Sequence, residues 1–380
     1  LRLANCRTVT SRWLTPWSKR GSPIGQSFVI SESALPIVQA AASPRKRILR
    51  GTSDEFWDVL GRETITRIEY LWSGYVLATL LPYLDEQGID TGQRLHWQAL
   101  ARQTGAAGKL QVGEYALAQA ESPRALLVAM RDGKVVRRMF TIVEGWNIRD
   151  LRAALAKAPL LEQETAGLDD AALMAALGQA GQHPEGRFLP ETYAWVRGDS
   201  DLDILRRARA DMATALDEAW AGRAQGLPLK DKEEALVLAS IVEKETGIAE
   251  ERPQIAGVFV RRLKLGMRLQ TDPTVIYGMG EAYSGNIRRS DLTTDTPYNT
   301  YTRAGLTPTP IAMPGKAALQ AATRPADGDA LYFVAVGDGS GRHVFSRSLG
   351  EHNAAVRDYV QRYRAQRQAE RDQPAKAPSP

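Results

Sequence analysis

The stretch Asp231-Lys-Glu-Glu-Ala-Leu-Val-Leu-Ala-Ser-Ile-Val-Glu-Lys-Glu-Thr246 ends an apolar run on two carboxylates, Glu243 and Glu245. From Ala235 to Val242 it is apolar almost all round, so the spacing predicts a buried helix. At about 100° per residue the two glutamates point to nearly opposite sides. Glu245 falls on the stripe of Leu238, Ile241 and Val242, whereas Glu243 lies far from the mean apolar direction. A carboxylate on an apolar stripe loses hydration, its pKa rises, and it keeps a proton near neutrality. A general acid in glycoside cleavage needs that property. The opposing reading leaves both glutamates solvated, or paired with Lys244, Arg261 or Arg262.

Downstream stands Gly266-Met-Arg-Leu-Gln-Thr-Asp-Pro-Thr-Val-Ile-Tyr-Gly278. Gln270 and Asp272 offer hydrogen bonds to sugar hydroxyls and amides, and Pro273 fixes the chain after Asp272. Thr296-Pro-Tyr-Asn-Thr-Tyr301 then gathers Tyr298, Asn299 and Tyr301 in one loop. Aromatic faces beside an amide suit carbohydrate; the opposing reading is a hydrogen-bonded structural loop. His343 and His352 read as structural hydrogen-bond partners. The four histidines show no metal-ligand spacing and the single cysteine, Cys6, allows no intrachain disulfide. No metal or other cofactor is expected, and no Ser/His/Asp or phosphate-loop pattern competes.

The elements that must hold these residues are mixed. Of 380 residues, 43% are hydrophobic and 24% charged, ordinary for two or three globular domains. The net charge of +5 suits many anionic partners and chooses none. No RNP, zinc-finger or basic-zipper pattern is present, so no nucleic acid is expected. Residues 1–79 show no clear periodicity. The best apolar run, from Tyr75 to Leu84, contains Pro82 and is far shorter than the roughly twenty residues of a membrane span. Beyond it, helices are expected over 90–103, from Pro123 to about 132, and over 147–156, with strands over 109–117 and 135–143. Helices follow over 161–182, 200–223, 231–246 and 255–265, then an extended segment over 267–277. Long ordered loops fill 277–315, a helix 317–322, a hairpin 331–346, and a last helix runs from Leu349 to about Gln368. The fold class is therefore α+β. Its expected domains are an uncertain N-terminal region (1–79), a small α+β module (80–157), a catalytic domain (158–368) and a disordered Pro/Ala/Lys tail (369–380).

Several of these segments resemble the YceG-like endolytic murein transglycosylases. They are Ala239-Ser-Ile-Val-Glu-Lys-Glu-Thr246, the run from Arg262 to Gly278, Tyr298-Asn-Thr-Tyr301, Pro314-Gly315 and Leu331-Tyr-Phe-Val334. Gly113-Glu-Tyr115, Val143-Glu-Gly145 and Phe188-Leu-Pro-Glu-Thr-Tyr193 are similar to the family as well, so the likeness runs from about Tyr83 to Tyr363. Thr307 and Thr309 depart from it, standing where Pro and Gly are common. The resemblance implies that module 80–157 is LysM-like. It maps the catalytic glutamate onto Glu245, and makes peptidoglycan glycan strands the substrate and cell-wall synthases further partners. It also implies a bacterial inner-membrane protein, single-pass, with its catalytic domain in the periplasm; the anchoring helix is not read in this chain. The implied product carries a 1,6-anhydro end, with a hydrolytic muramidase and a non-catalytic peptidoglycan-binding scaffold as the alternatives.

Overall fold

The structure is a computed structural model that describes residues 26–30, 81–82, 91–111, 113–117 and 122–372. It divides into two compact units, at Val136/Arg137.

In the first unit, strand β1 (Gln26–Ile30) pairs antiparallel with β2 (Gly113–Leu117), with Phe28 opposite Tyr115. Helix α1 (Arg94–Gln103) and helix α2 (Pro123–Arg131) complete its described elements. Ser122 caps α2 by accepting from the Ala125 amide, and Pro123 stands in the first turn, where its missing N–H costs nothing. Trp97, Tyr115, Leu127 and Met130 form its core.

The second unit opens with β3 (Arg138–Thr141), which pairs with β4 (Thr192–Trp195), not with β2. The sequence reading joined 135–143 to the strand before it. In the structure, residues from Arg137 onward fold with the second unit, because Phe140, Ile142, Ile148, Leu151 and Leu155 share one core with Phe188, Tyr193 and Trp195. Helix α3 (Ile148–Leu155) starts at a capping box made by Asn147 and Asp150. The helix expected over 161–182 shrinks to α4 (Asp170–Ala176), started by the Asp169 cap.

Helix α5 (Asp201–Ala221) begins at a second capping box, Ser200 with Asp203. Helix α6 (Lys232–Glu245) is capped by Asp231, and α7 (Arg252–Lys264) follows. The extended reading of 267–277 fails: Asp272–Met279 is a helix, α8, with Pro273 in its first turn. The loop region contains a 3-10 turn at Gly280–Ala282 and one further short α-helix, α9 (Arg289–Thr293). After α10 (Lys316–Thr323) come the hairpin β5 (Tyr332–Ala335) and β6 (His343–Ser346), then α11 (Leu349–Asp372). Most of the expected tail, 373–380, lies outside the described residues. The second core is built on α6. Leu236, Leu238, Ile241 and Val242 pack with Ile255 and Phe259 of α7, Leu319 and Ala322 of α10, and Ile311. No helix of the described residues is long and apolar enough to cross a membrane.

Candidate functional site

Helix α6 is buried from Ala235 through Glu243, so its last turn delivers the two glutamates into different surroundings within the protein. Glu243 is not on a solvent face. It is 9% exposed, its carboxylate accepts from Arg252 Nη2 at 3.1 Å, and it accepts from the Gly315 amide at 3.0 Å. Burial pushes its pKa up while these donors pull it down. Arg252 also reaches Glu144 at 3.4 Å. Lys244 Nζ donates to the Gly145 carbonyl at 3.0 Å, and the backbones of Gly145 and Trp146 exchange hydrogen bonds with Met313 at 2.9 and 2.7 Å. The Glu144 carboxylate lies over Gly315, in the space that a side chain there would enter. Glu243 is thus the tie that fastens two loops to the end of α6.

Glu245 is partly exposed. The Thr271 hydroxyl donates to its Oε1. Loss of hydration pushes its pKa up to about 7; the Thr271 bond opposes that and the negative charge of Asp272 adds to it. Thr271 is itself fixed by a buried threonine cluster. Its amide donates to Thr300 Oγ1 at 3.0 Å, and Thr274 Oγ1 donates to its carbonyl at 2.8 Å. The approach to Thr271 is held by Arg262, which is buried and donates to the carbonyls of Arg268 and Leu269 at 3.1 and 2.8 Å. Gln270 takes a left-handed φ of 53°, its amide bonded to the Thr300 carbonyl at 3.2 Å and its side chain exposed. Asp272, exposed at the start of α8, accepts from the Tyr301 hydroxyl at 2.6 Å. Burial and the charges of Asp272 and Glu245 raise the Tyr301 phenol, which places all three groups within electrostatic reach of one another.

A further carboxyl, on the loop at 184–186, meets α8 through Tyr277. Glu185 is fully buried and accepts from the Ile148 amide at 3.1 and 3.2 Å and from the Tyr277 hydroxyl at 3.0 Å. Burial pushes it up to about 7 against these donors. The Tyr277 ring meets Tyr298 edge-on, 4.9 Å between centroids, and the Tyr298 hydroxyl shares a 2.9 Å bond with Thr309.

The model of the YceG-like family matches residues 72–358. The chain belongs to that family. A Bacillus subtilis (strain 168) relative named endolytic murein transglycosylase is 32% identical to this YceG-like chain over 308 residues, covering 76% of the chain and 83% of the relative. A Streptococcus pneumoniae serotype 2 (strain D39 / NCTC 7466) relative of the same name is 30% identical over 182 residues, 46% of this chain and 32% of that longer protein. A YceG-like protein of known crystal structure, from Listeria monocytogenes, is 28% identical, with a TM-score of 0.46, covering 74% of this chain and 95% of that one.

Of the residues singled out in this YceG-like sequence, Glu245, Asp272 and Tyr301 come together at the junction of α6 and α8, with Gln270 on the segment leading into it. Tyr298 lies beside Tyr277 and Gly278, near the far end of α8. Asn299 does not offer its amide to a ligand. It is 1% exposed, donates to the carbonyls of Asp291, Leu292 and Thr294, and accepts from the Tyr301 amide at 2.8 Å. Thr309 partners Tyr298. His343 is bound by the Glu251 carboxylate at 2.8 Å, a structural tie of the hairpin to α7. Val143-Glu-Gly145 lies in the second unit, against the end of α6. Sequence reasoning missed Thr271, Arg252 and Glu185; a hydroxyl directly before Asp-Pro and an acidic residue inside Pro184-Glu185-Gly186 were the available signals.

Proposed function

We propose that this protein is an endolytic murein transglycosylase that cleaves the β-1,4 bond between N-acetylmuramic acid and N-acetylglucosamine, with Glu245 as acid and base. The observation that carries the reading is a partly exposed glutamate, held near neutrality, on the family-matching helix. Thr271 donates to Oε1, so the catalytic proton sits on Oε2. Protonated Glu245 gives that proton to the leaving glycosidic oxygen. The carboxylate then takes the proton of the muramyl C6 hydroxyl, whose oxygen closes on C1 to give a 1,6-anhydro end. The nucleophile is internal, so one carboxyl suffices and no water enters. The charge of Asp272 opposes ionisation of Glu245 and so favours its acid form before the bond breaks.

Gln270, Tyr298 and Tyr301 supply polar and aromatic contacts to the glycan, and the first unit holds the strand as a LysM-like module. Such an enzyme works outside the cytoplasm, where murein lies, and a membrane anchor and the cell-wall synthases as partners agree with that placement. One observation favours a second reading, a hydrolytic muramidase: Asp272 is a second carboxylate within electrostatic reach of Glu245. Digestion of purified sacculi followed by mass spectrometry separates the two, since anhydro ends are one water lighter than hydrolysed ends. Release of hydrolysed ends alone would overturn the proposal.

A further inference from the structure

We infer that Glu185 is a positioning residue of the proposed glycan-contacting surface, holding Tyr277 and, through that ring, Tyr298. This deepens the reading of the site as a glycan-cleaving centre and rests on it. Glu185 cannot touch a glycan, because it is fully buried. An apolar side chain would fill its place without the desolvation that a carboxyl suffers there. What the carboxyl adds is direction. It accepts from Ile148 at the head of α3 and from Tyr277 in the last turn of α8, so one group sets two elements against each other. The loop that carries it is fixed in turn. Gly186 has a φ of 78° and lies so near Pro310 that an added side-chain carbon would come within 2.6 Å, so only glycine permits that approach. Tyr277 then meets Tyr298, whose hydroxyl is shared with Thr309. The other end of α8 carries Asp272 beside Glu245, five residues and therefore roughly 7.5 Å of helix away.

The groups facing Glu185 are few. They are Arg149 on α3, which attracts its charge, the Tyr277 phenol with Tyr298 behind it, and His183, whose Nδ1 accepts from the Glu185 amide at 3.2 Å. Ionised Glu185 accepts a charge-assisted bond from Tyr277; protonated Glu185 shares only a neutral one, roughly half as strong. The order of Tyr277 and Tyr298 therefore follows the charge of Glu185, while the proposed chemical step follows Glu245.

The test is steady-state kinetics of the full chain on soluble, peptide-free glycan strands from pH 5.5 to 8.5, with melting curves alongside. Glu185→Gln keeps shape and a neutral bond, and Tyr277→Phe keeps the ring but cuts the link. At pH 8 both should raise KM about fivefold while kcat changes less than twofold. At pH 5.5 Glu185→Gln should match the parent. Parent KM should fall as pH rises through about 7, and that dependence should vanish in Glu185→Gln. A folded Tyr277→Phe protein with parental KM at every pH would overturn the inference. So would a Glu185→Gln protein that loses kcat with KM unchanged, which would put Glu185 in the chemical step. If Glu185→Gln does not fold, Tyr277→Phe decides alone. A parent chain that releases no anhydro ends would instead refute the transglycosylase reading, a result visible before any variant is made.

Discussion

Glu245→Gln separates chemistry from folding, because it removes a proton while keeping an oxygen for Thr271 to donate to. The Glu245 carboxyl is raised from 4.5 to about 7. At 1.36 kcal/mol per pKa unit, that corresponds to about 3 kcal/mol of folding free energy. Glu245 keeps partial contact with solvent, which screens part of the penalty, so about 1–2 kcal/mol is the working magnitude. The folded pKa lies above the unfolded one, so the folded chain binds more protons between about pH 4.5 and 7. Stability therefore falls as pH rises across that window. The amide has no such loss. The variant should match the parent near pH 4.5 and exceed it by about 1–2 kcal/mol at pH 8, measured by urea denaturation at both values. Glu185 and Glu243 contribute equally to both proteins and cancel in the difference. The same variant should release no 1,6-anhydro ends from purified sacculi. Normal release would show that both the assigned residue and the single-carboxyl mechanism are wrong. An unchanged stability difference between the two pH values would show that Glu245 is not held near neutrality.

Glu243→Gln should retain much of the anhydro-forming activity yet lose about 1–3 kcal/mol of stability, read by denaturant unfolding, because it leaves buried Arg252 without a full counter-charge. Activity of the parent enzyme should decline as pH rises through about 7, where Glu245 loses the proton it must give; a flat pH–kcat profile across neutrality would reject a titrating acid there. Tyr298→Ala and Gln270→Ala should lower turnover on soluble glycan without unfolding the protein, whereas Asn299→Ala should lower the melting temperature, by a loss of roughly 2 kcal/mol, with turnover per folded molecule preserved. Removing residues through Val136 should weaken sacculus pull-down while the second unit still melts cooperatively; undiminished capture would end the binding role of the first unit.

Much of the scaffold is legible because local signals agree with burial. Ser200 with Asp203, Asp231, and Ser122 with Pro123 mark helix starts that the structure places within a residue or two. A partly buried Glu245 is legible from the apolar stripe that leads to it. Glu243 is not, because a moment calculated around one helix assumes a wet side, and α6 is covered by α7, α10 and the 311–315 loop together. Helix α8 is hidden by its own composition. Thr274-Val-Ile-Tyr277 favours a strand, but Pro273 and the Thr271/Thr274/Thr300 contacts, which join residues far apart in sequence, impose a helix. The opposite error befell 161–182, where alanine content suggests one long helix and the Asp169 cap restricts it to seven residues. The partner of β3 lies about fifty residues further on, beyond the reach of any local pattern.

Among the backbone amides that look directly at buried carboxyls, Gly315 donates to Glu243 and Ile148 donates to Glu185. Each is a built-in spectroscopic probe. In a two-dimensional NMR titration the proton resonance of Ile148 should trace the charge of Glu185, and that of Gly315 the charge of Glu243, without any added label. Glu245 takes its hydrogen bond from the Thr271 hydroxyl instead, so its titration should leave those two amides still. The protein thus carries readouts for Glu243 and Glu185 that are separate from the titration of Glu245.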